Sequence, residues 1–290
     1  MSQQDACFFS GEETLAATLH LPEGEGPFPA IVLCTGFGGV KDLMLPAIAE
    51  YFVSRGMAAL RFDHRGFGES TGTKWRLLPM EQVEDTRSAL TWVSGHPQVD
   101  PARLGLYGTS FGGANAIVTA ALDPRVAVVA TCVSVGNGKA WMRSLRRNWE
   151  WIEFQKQIEK AKLHRVRTGE GTWVDSDVIM PPDPESHRWH LQVIQEFPER
   201  RYQLPLETAE AILEYRPDEM VGRIAPRPVL FMVVENDLLV PNDQTLELFE
   251  RAGEPKKLVM LRDINHHDVY SGEPFETTMS NAADWFAQYL

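Results

Sequence analysis

Short, continuous runs of apolar residues recur along the chain and alternate with longer amphipathic segments. The runs are rich in Val, Ile, Leu and Ala, which is typical of strands buried on both faces of a parallel sheet. They predict strands at 30–34, 57–62, 103–107, 127–133, 229–234 and 257–261. The intervening segments carry apolar residues at helical spacing and predict helices over 45–55, 79–94, 111–122 and 243–252. This alternation predicts an α/β fold with a mostly parallel, doubly wound sheet.

The alternation is interrupted once, between residues 137 and 224, where helical patterns and a Pro/Gly-rich middle section replace any strand signal. We therefore predict an α/β core from residues 1–136 and 225–290, with an inserted helical cap over residues 137–224. In such folds ligands bind at the carboxyl edge of the sheet, and an insertion at this point of the chain is expected to cover that edge. A helical appendage that serves dimerisation is the alternative interpretation.

The insertion is rich in tryptophan. Large aromatic side chains on a cap are expected to form the wall of a substrate pocket, and packing beneath the cap explains them equally well. The pocket candidates are Trp141, Trp149 and Trp151.

Composition excludes several classes of function. The 290 residues carry 40 acidic and 28 basic side chains, a formal charge of −12, which disfavours capture of a nucleic-acid backbone. Cys7, Cys34 and Cys132 are far apart and form no Cys-x-x-Cys pair, so neither a disulfide framework nor a thiolate zinc site is expected. The chain shows no secretion signal and no apolar stretch of the ~20 residues that a membrane span needs, so we expect no membrane association and a cytoplasmic location.

The sharpest chemical signal is Gly-Thr-Ser-Phe-Gly-Gly at 108–113, between the predicted strand 103–107 and the predicted helix 111–122. Small residues two positions before and after Ser110 allow a sharp turn from strand to helix, which exposes the serine hydroxyl. The amides at the start of the helix are directed at the same point. The backbone N–H of Phe111 is thus positioned to bind an oxyanion that forms when Ser110 attacks a carbonyl.

A serine hydroxyl needs a base to remove its proton and a carboxylate to orient that base. Both residue types follow in the order expected after such a serine. Asp237 lies just past the predicted strand 229–234, and His266 follows the strand 257–261. Glu235 and Asp263 are rival acids, and the adjacent His267 is a rival base.

Three further stretches support a family resemblance: Thr-Gly-Phe-Gly-Gly at 35–39, Asp-His-Arg-Gly-Phe-Gly at 63–68, and His-His-Asp-Val-Tyr at 266–270. With these motifs the chain resembles α/β-hydrolases of the branch that contains dienelactone-hydrolase-like and acyl-peptidase-like bacterial esterases. The resemblance covers nearly all of the chain except the insertion. It implies an α/β-hydrolase fold in which Ser110 is the nucleophile, Asp237 the acid and His266 the base.

The resemblance also implies which acid acts and what roles His267, Phe37 and Arg65 have. Asp237 is favoured over its rivals because a Val-Pro step follows it, as in the family. His267 aligns with a hydrophobic or aromatic position of the family, which implies a pocket wall. The glycine-rich turn at 35–39 makes the Phe37 backbone N–H the second oxyanion donor, although relatives typically carry His where this chain has Thr35. The 63–68 stretch implies an architectural turn in which Arg65 pairs with Asp63 or a neighbouring carboxylate.

The segment 139–167 carries nine basic side chains against three acidic ones. If it faces the site, it favours an anionic acyl substrate; a solvated face or a subunit contact is the alternative. His187 and His190 are spaced for one helix face but lack a third metal ligand, so no metal site is expected.

These observations predict a serine hydrolase that cleaves a carboxylic ester, thioester or amide of a small molecule and needs no cofactor. Carbon–carbon bond hydrolysis or an aminopeptidase-like activity on the same triad is the first alternative. A non-catalytic ligand-binding protein on a hydrolase fold is the second. A homodimer is compatible with the sequence.

Overall fold

The predicted apolar runs form the parallel part of a large sheet. The computed structural model describes residues 1–197 and 202–290. Its strands are β1 (Ser2–Ser10), β2 (Glu13–Leu21), β3 (Phe28–Cys34), β4 (Ala58–Phe62), β5 (Val99–Thr109), β6 (Val126–Cys132), β7 (Trp173–Asp175), β8 (Gln203–Pro205), β9 (Val229–Val234) and β10 (Lys256–Leu261). Eight of them form one sheet in the order β1-β2-β4-β3-β5-β6-β9-β10, in which every pair from β4 to β10 is parallel. The doubly wound α/β prediction is confirmed.

The helices fill the connections between the strands. They are α1 (Leu45–Ser54), α2 (Pro79–Ser94), α3 (Phe111–Leu122), α4 (Gly138–Ser144), α5 (Asn148–Thr168), α6 (Ser176–Ile179), α7 (Pro184–Glu196), α8 (Glu207–Leu213), α9 (Pro217–Met220), α10 (Asn242–Arg251) and α11 (Gly272–Tyr289). Among the described residues, no helix combines the length and the apolar character needed to cross a membrane.

The first two strands were not predicted. They form an antiparallel hairpin at one edge of the sheet, where Ser2 pairs with Leu21, and β2 continues antiparallel to β4. Only part of each strand is apolar: Leu15 and Leu19 are buried, whereas the first half of β1 is exposed. An edge hairpin of this kind has a half-polar pattern. The continuous apolar runs that revealed the central strands are therefore missing here.

The sheet is covered on both faces. On one face α2, α3 and α10 contribute Leu90, Ile117 and Leu248 to a buried apolar cluster. On the other face α1 and α11 contribute Phe52 and Phe286, whose rings meet edge to face at 5.5 Å. With both faces occupied, the open carboxyl edge of the parallel strands is the surface left for a site.

The segment between β6 and β9 contains six helices within the described residues, as its helical pattern predicted, but also an unpredicted ribbon in which β7 pairs antiparallel with β8. Each ribbon strand has three residues, too few to show a periodic pattern. Buried side chains of this segment join one apolar cluster with Phe37 and Phe111 of the core. The division of the chain into core and cap at 137 and 224 stays a prediction.

The close packing of α11 on β5 gives a test of the fold. A Cβ added at Gly105 would lie 2.7 Å from the Phe286 ring and 2.9 Å from Ile31 Cδ1. We expect Gly105→Ala to lower the free energy of unfolding by about 1–3 kcal/mol, because buried side chains must shift to admit the methyl group. Urea denaturation measures the change. The matched control is Gly95→Ala, where the nearest atom is 3.6 Å away, with an expected change within about 0.5 kcal/mol. Equal stabilities of the two variants would contradict the packing described.

Candidate active site

Ser110 sits at the sharp turn between β5 and α3. Its φ is 57° and its ψ −125°, a strained conformation for a residue with a side chain. A Cβ atom added at Gly108 would lie 2.3 Å from the Gly112 carbonyl oxygen. A Cβ atom added at Gly112 would lie 2.2 Å from the Cys34 carbonyl oxygen. Both positions must therefore be glycine for the turn to form, which is the physical reason for the motif found in the sequence.

The two predicted oxyanion donors, Phe37 and Phe111, lie in backbone segments next to Ser110. Phe111 is the first residue of α3, and N–H groups in the first turn of a helix have no acceptor within the helix. Phe37 lies in a turn closed by a hydrogen bond from the Gly39 N–H to the Gly36 carbonyl, and Gly36 is next to the Ser110 side chain. The rings of Phe37 and Phe111 meet edge to face at 6.1 Å.

The loop that carries Phe37 is held by Asp63, which is buried and follows β4. One carboxylate oxygen of Asp63 accepts the Lys41 N–H at 2.7 Å, and the other accepts the Glu69 N–H at 3.0 Å. Arg65 pairs not with Asp63 but with Asp85 of α2, with a distance of 2.8 Å from Nε to Oδ1. The 63–68 stretch thus supports the glycine-rich turn from the side, and Thr35 lies buried at the start of that turn.

Asp237 and His266 meet beyond the ends of β9 and β10. Nδ1 of His266 lies 2.8 Å from Oδ2 of Asp237, and both residues are buried. The other Asp237 oxygen accepts the backbone N–H groups of Leu239 and Val240 at 3.0 and 2.7 Å. A carboxylate only accepts hydrogen bonds, so Nδ1 of His266 is the donor of this bond, and Nε2 is the ring nitrogen left for another partner.

The two rival acids, Glu235 and Asp263, do not share the buried position of Asp237. Glu235 is exposed, and its carboxylate accepts the backbone N–H of Asp263 at 3.1 Å. Asp263 is also exposed and has a φ of 58°. Among the hydrogen bonds of the described residues, His266 is bonded to Asp237 and to neither of these two.

His267 points in a different direction from its neighbour. The two histidine rings are 5.0 Å apart at 80°, and the His267 ring stacks flat on Trp189 of α7 at 4.1 Å and 3°. Burial, with smaller contributions from His266 and His190, lowers the pKa of His267 to about 2. The ring is therefore neutral at any ordinary pH, and its stacking on α7 agrees with a position in the pocket wall.

Ser110, His266 and His267 line one cavity of about 100 Å³ between the sheet edge and the insertion. Most of its lining is apolar, and no Lys, Arg, Asp or Glu side chain is found among the described lining residues. The apolar contacts come from the β3–α1 loop, from the segment around α6 and α7, and from the loop after Asp237. They include Val40, Leu43, Met44, Leu45, Met180, Pro182, Trp189 and Leu239.

The three predicted pocket tryptophans do not line this cavity. Trp141 is fully buried behind it, where its ring nitrogen donates to the Leu239 carbonyl at 2.9 Å and its ring packs against Phe37 and Phe111. Trp149 is 62% exposed on α5, and Trp151 packs against Phe154 of the same helix. The reason is the rotation of α4 and α5, which decides which face of each helix meets the core.

The sequence did not single out Trp189 as a pocket residue, although its side chain lines the cavity. Helical spacing cannot show which of several tryptophans stacks on a histidine far along the chain. The apolar residues of the β3–α1 loop were also missed, because a loop has no periodicity to reveal which side chains point inward.

The basic segment 139–167 does not contribute to the cavity lining. Its buried member, Arg146, donates to the carbonyl groups of Met142, Val178 and Ile179, and burial lowers its pKa to about 10. Arg165 pairs with Glu210 of α8 at 2.8 Å. Within the described ranges, no group of three or more His, Cys, Asp or Glu side chains is arranged to hold a metal ion.

Comparison with known proteins agrees with the fold. An uncharacterised 31.7 kDa protein of Escherichia coli, from the traX-finO intergenic region, is 32% identical over 96% of this chain and 97% of its own length. The thiohydrolase aneE of Aspergillus aculeatus is 29% identical over 91% of this chain and 86% of its own length. The crystal structure of the α/β hydrolase GrgF from a Penicillium species superposes with a TM-score of 0.83 at 23% identity, covering 100% of this chain and 99% of that one.

The profile of the X-Pro dipeptidyl-peptidase (S15) family matches residues 11–267, which is most of the chain. That match spans the glycine-rich turn, the strained serine and the paired acid and histidine. It agrees with the sheet order and with the structural similarity to GrgF. The chain therefore belongs to the X-Pro dipeptidyl-peptidase (S15) family of the α/β-hydrolase superfamily, and it is a hydrolase.

Proposed function

We propose that this hydrolase cleaves the ester or thioester of a small, uncharged acyl group through a covalent acyl-enzyme on Ser110. One observation carries the proposal: the strained Ser110 lines the same small cavity as His266, and His266 is bonded to the buried Asp237. A nucleophile, a base and an orienting carboxylate are thus arranged around one apolar space.

In the acylation step, Nε2 of His266 removes the Ser110 proton as Oγ attacks the carbonyl carbon. The negative charge that develops on the carbonyl oxygen is stabilised by the N–H groups of Phe37 and Phe111. His266 then gives the proton to the leaving oxygen or sulfur, and the bond to the leaving group breaks. Asp237 holds the ring and stabilises its positive charge throughout this step.

In the second step, water replaces the leaving group. His266 removes a proton from the water as its oxygen attacks the acyl-Ser110 carbonyl, and the same two N–H groups hold the oxyanion. When the second tetrahedral intermediate collapses, His266 returns the proton to Ser110 Oγ. The free acid leaves, and the enzyme is restored.

The cavity supports a small acyl group better than a peptide. Its volume of about 100 Å³ is below the roughly 300–1,000 Å³ typical of sites for drug-sized ligands. A dipeptide, the unit released by the activity in the family's name, carries a charged amino group. No carboxylate to receive that group lines the described part of the cavity. The relative that is named a thiohydrolase makes a thioester a reasonable substrate to test beside an ester.

The same lining argues against an anionic acyl group, which the basic segment 139–167 had raised as a possibility. A carboxylate buried in this cavity would meet no lysine or arginine among the described lining residues. A homodimer and a cytoplasmic location stay predictions of the sequence.

The direct test of the nucleophile is Ser110→Ala. We expect kcat on short-chain p-nitrophenyl esters and acyl thioesters to fall by roughly 10⁴-fold or more, with the residual rate due to the oxyanion-binding amides. The thermal unfolding temperature should stay close to that of the parent, because the loss of one hydroxyl leaves the packing intact. Retained hydrolysis in this variant would reject the mechanism.

The assignment of the base is tested by comparing His266→Ala with His267→Ala. We expect His266→Ala to reduce kcat about as severely as Ser110→Ala, because residues of one catalytic unit act together. His267→Ala should cost far less in kcat, since that ring stacks on Trp189 and is not bonded to Asp237. Steady-state kinetics on one ester decides the matter, and the opposite ranking would make His267 the base.

A further inference from the structure

Trp141 of α4 connects the insertion to the loop that carries Asp237. Its side chain is buried, and its ring nitrogen donates to the backbone carbonyl of Leu239 at 2.9 Å. The backbone N–H of Leu239 donates in turn to Oδ1 of Asp237 at 3.0 Å, and Oδ2 of the same carboxylate bonds to His266. A single residue, Leu239, therefore separates the indole ring from the acid of the site.

The loop around Asp237 is anchored on both sides of the acid. Before Asp237, the backbone N–H of Asn236 donates to the Ile264 carbonyl at 3.1 Å. After Asp237, the N–H groups that bond to its Oδ1 belong to the loop itself, so they fix the carboxylate relative to the loop and not the loop relative to the sheet. The Trp141 ring N–H is a donor from outside the loop on this side.

The indole ring is itself fixed by the core. It packs against the rings of Phe37 and Phe111, with centroids 6.2 and 5.9 Å away. The start of α4 is bonded to α10, because the Asn137 N–H donates to the Gln244 side chain at 2.9 Å. The donor therefore has a defined position, and the Leu239 carbonyl must come to it.

A ring N–H bonded to a buried carbonyl satisfies both polar groups, and in many proteins that is its whole role. Here the carbonyl belongs to the residue whose N–H holds the acid. A loop that shifted away from the indole would move Asp237 as well. Catalysis is sensitive to such shifts, because the base must stay aligned with the nucleophile.

We propose that Trp141 is a positioning residue for the reaction: its ring N–H holds the Leu239 carbonyl, and so keeps Asp237 where it orients His266 toward Ser110. This inference rests on the proposed function, since it assigns Trp141 an effect that passes through the acid. The Trp141 side chain does not line the cavity and would not touch the substrate. It should therefore affect kcat and leave KM nearly unchanged.

The first test is Trp141→Phe, which removes the ring N–H and keeps an aromatic ring at this position. We expect kcat on a short-chain p-nitrophenyl ester to fall about tenfold, as the loss of one hydrogen bond to a buried carbonyl allows, with KM within about twofold of the parent. An unchanged kcat, or a rise in KM that accounts for the whole loss of kcat/KM, would overturn the proposal.

The matched control is Trp285→Phe on α11. Trp285 is also buried, but its ring nitrogen has no hydrogen-bond partner within the described part of the chain, and it does not line the cavity. The same substitution there removes the same atoms from a packed position without breaking a hydrogen bond. We expect its kcat to stay within about twofold of the parent. Equal losses of kcat in the two variants would assign the effect to packing and reject the positioning role.

A double-mutant cycle tests whether the effect passes through the acid. In the Asp237→Ala background, we expect Trp141→Phe to lower kcat by less than about twofold, because the group that Trp141 positions is gone. Loss of the acid of such a triad costs less than loss of the nucleophile, so a rate above the Ser110→Ala blank should remain. The same tenfold loss in both backgrounds would show that Trp141 acts elsewhere, and the proposal would fail.

Thermal unfolding of each variant shows whether it is folded. If Trp141→Phe does not fold, position 141 is replaced by 3-benzothienylalanine, in which sulfur takes the place of the ring N–H at nearly the same shape. The same tenfold loss of kcat is expected, and a kcat equal to that of the parent overturns the proposal.

The outcomes separate the two proposals. If Ser110→Ala and Asp237→Ala lose activity but the variants at position 141 do not, the positioning proposal fails and the proposed function stands. If Ser110→Ala and Asp237→Ala both keep the kcat of the parent, the proposed function fails, and the positioning proposal fails with it.

Discussion

The site depends on close backbone contact where β5 turns into α3. The Cys34 carbonyl group occupies the space that a side chain at position 112 would need, and the Gly112 carbonyl group occupies the space that a side chain at position 108 would need. The chain can follow this path only with glycines on either side of Ser110, and Ser110 itself is held at a positive φ. This conformation directs the serine away from the sheet and toward the cavity. The Phe111 N–H, at the start of the next helix, is placed by the same turn.

The other groups of the site come to Ser110 because parallel strands end at the same edge of the sheet. Asp237 follows β9 and His266 follows β10, and these two strands pair in parallel from Lys256 with Val229 onward. Asp237 is fixed by two backbone N–H groups of its own loop, one of them from Leu239. The Leu239 carbonyl accepts the ring N–H of Trp141 from the insertion. The insertion is thereby tied to the loop that positions the acid.

The net charge of the protein does not determine the polarity of the residues that line its cavity. The chain carries a formal charge of −12, and segment 139–167 is basic, yet neither charge is present in the described lining of the cavity. The charged side chains of this segment find partners elsewhere: Arg165 pairs with Glu210, and the buried Arg146 donates to backbone carbonyl groups. In the proposed mechanism, the substrate meets only neutral groups, namely the N–H groups of Phe37 and Phe111 and the apolar residues of the β3–α1 loop.

The sequence by itself determined the parallel strands, the turn at Ser110 and the order of serine, acid and histidine, because each depends on local pattern and spacing. It did not reveal the edge hairpin β1–β2, whose stability comes from pairing with β4 rather than from a continuous apolar run. Nor could it tell which tryptophans reach the cavity: Trp189 stacks on His267, whereas Trp141 packs against Phe37 of the glycine-rich turn and Trp149 faces water. Only the tertiary structure decided this, because the direction of a side chain on a helix depends on how the whole helix is rotated against its neighbours.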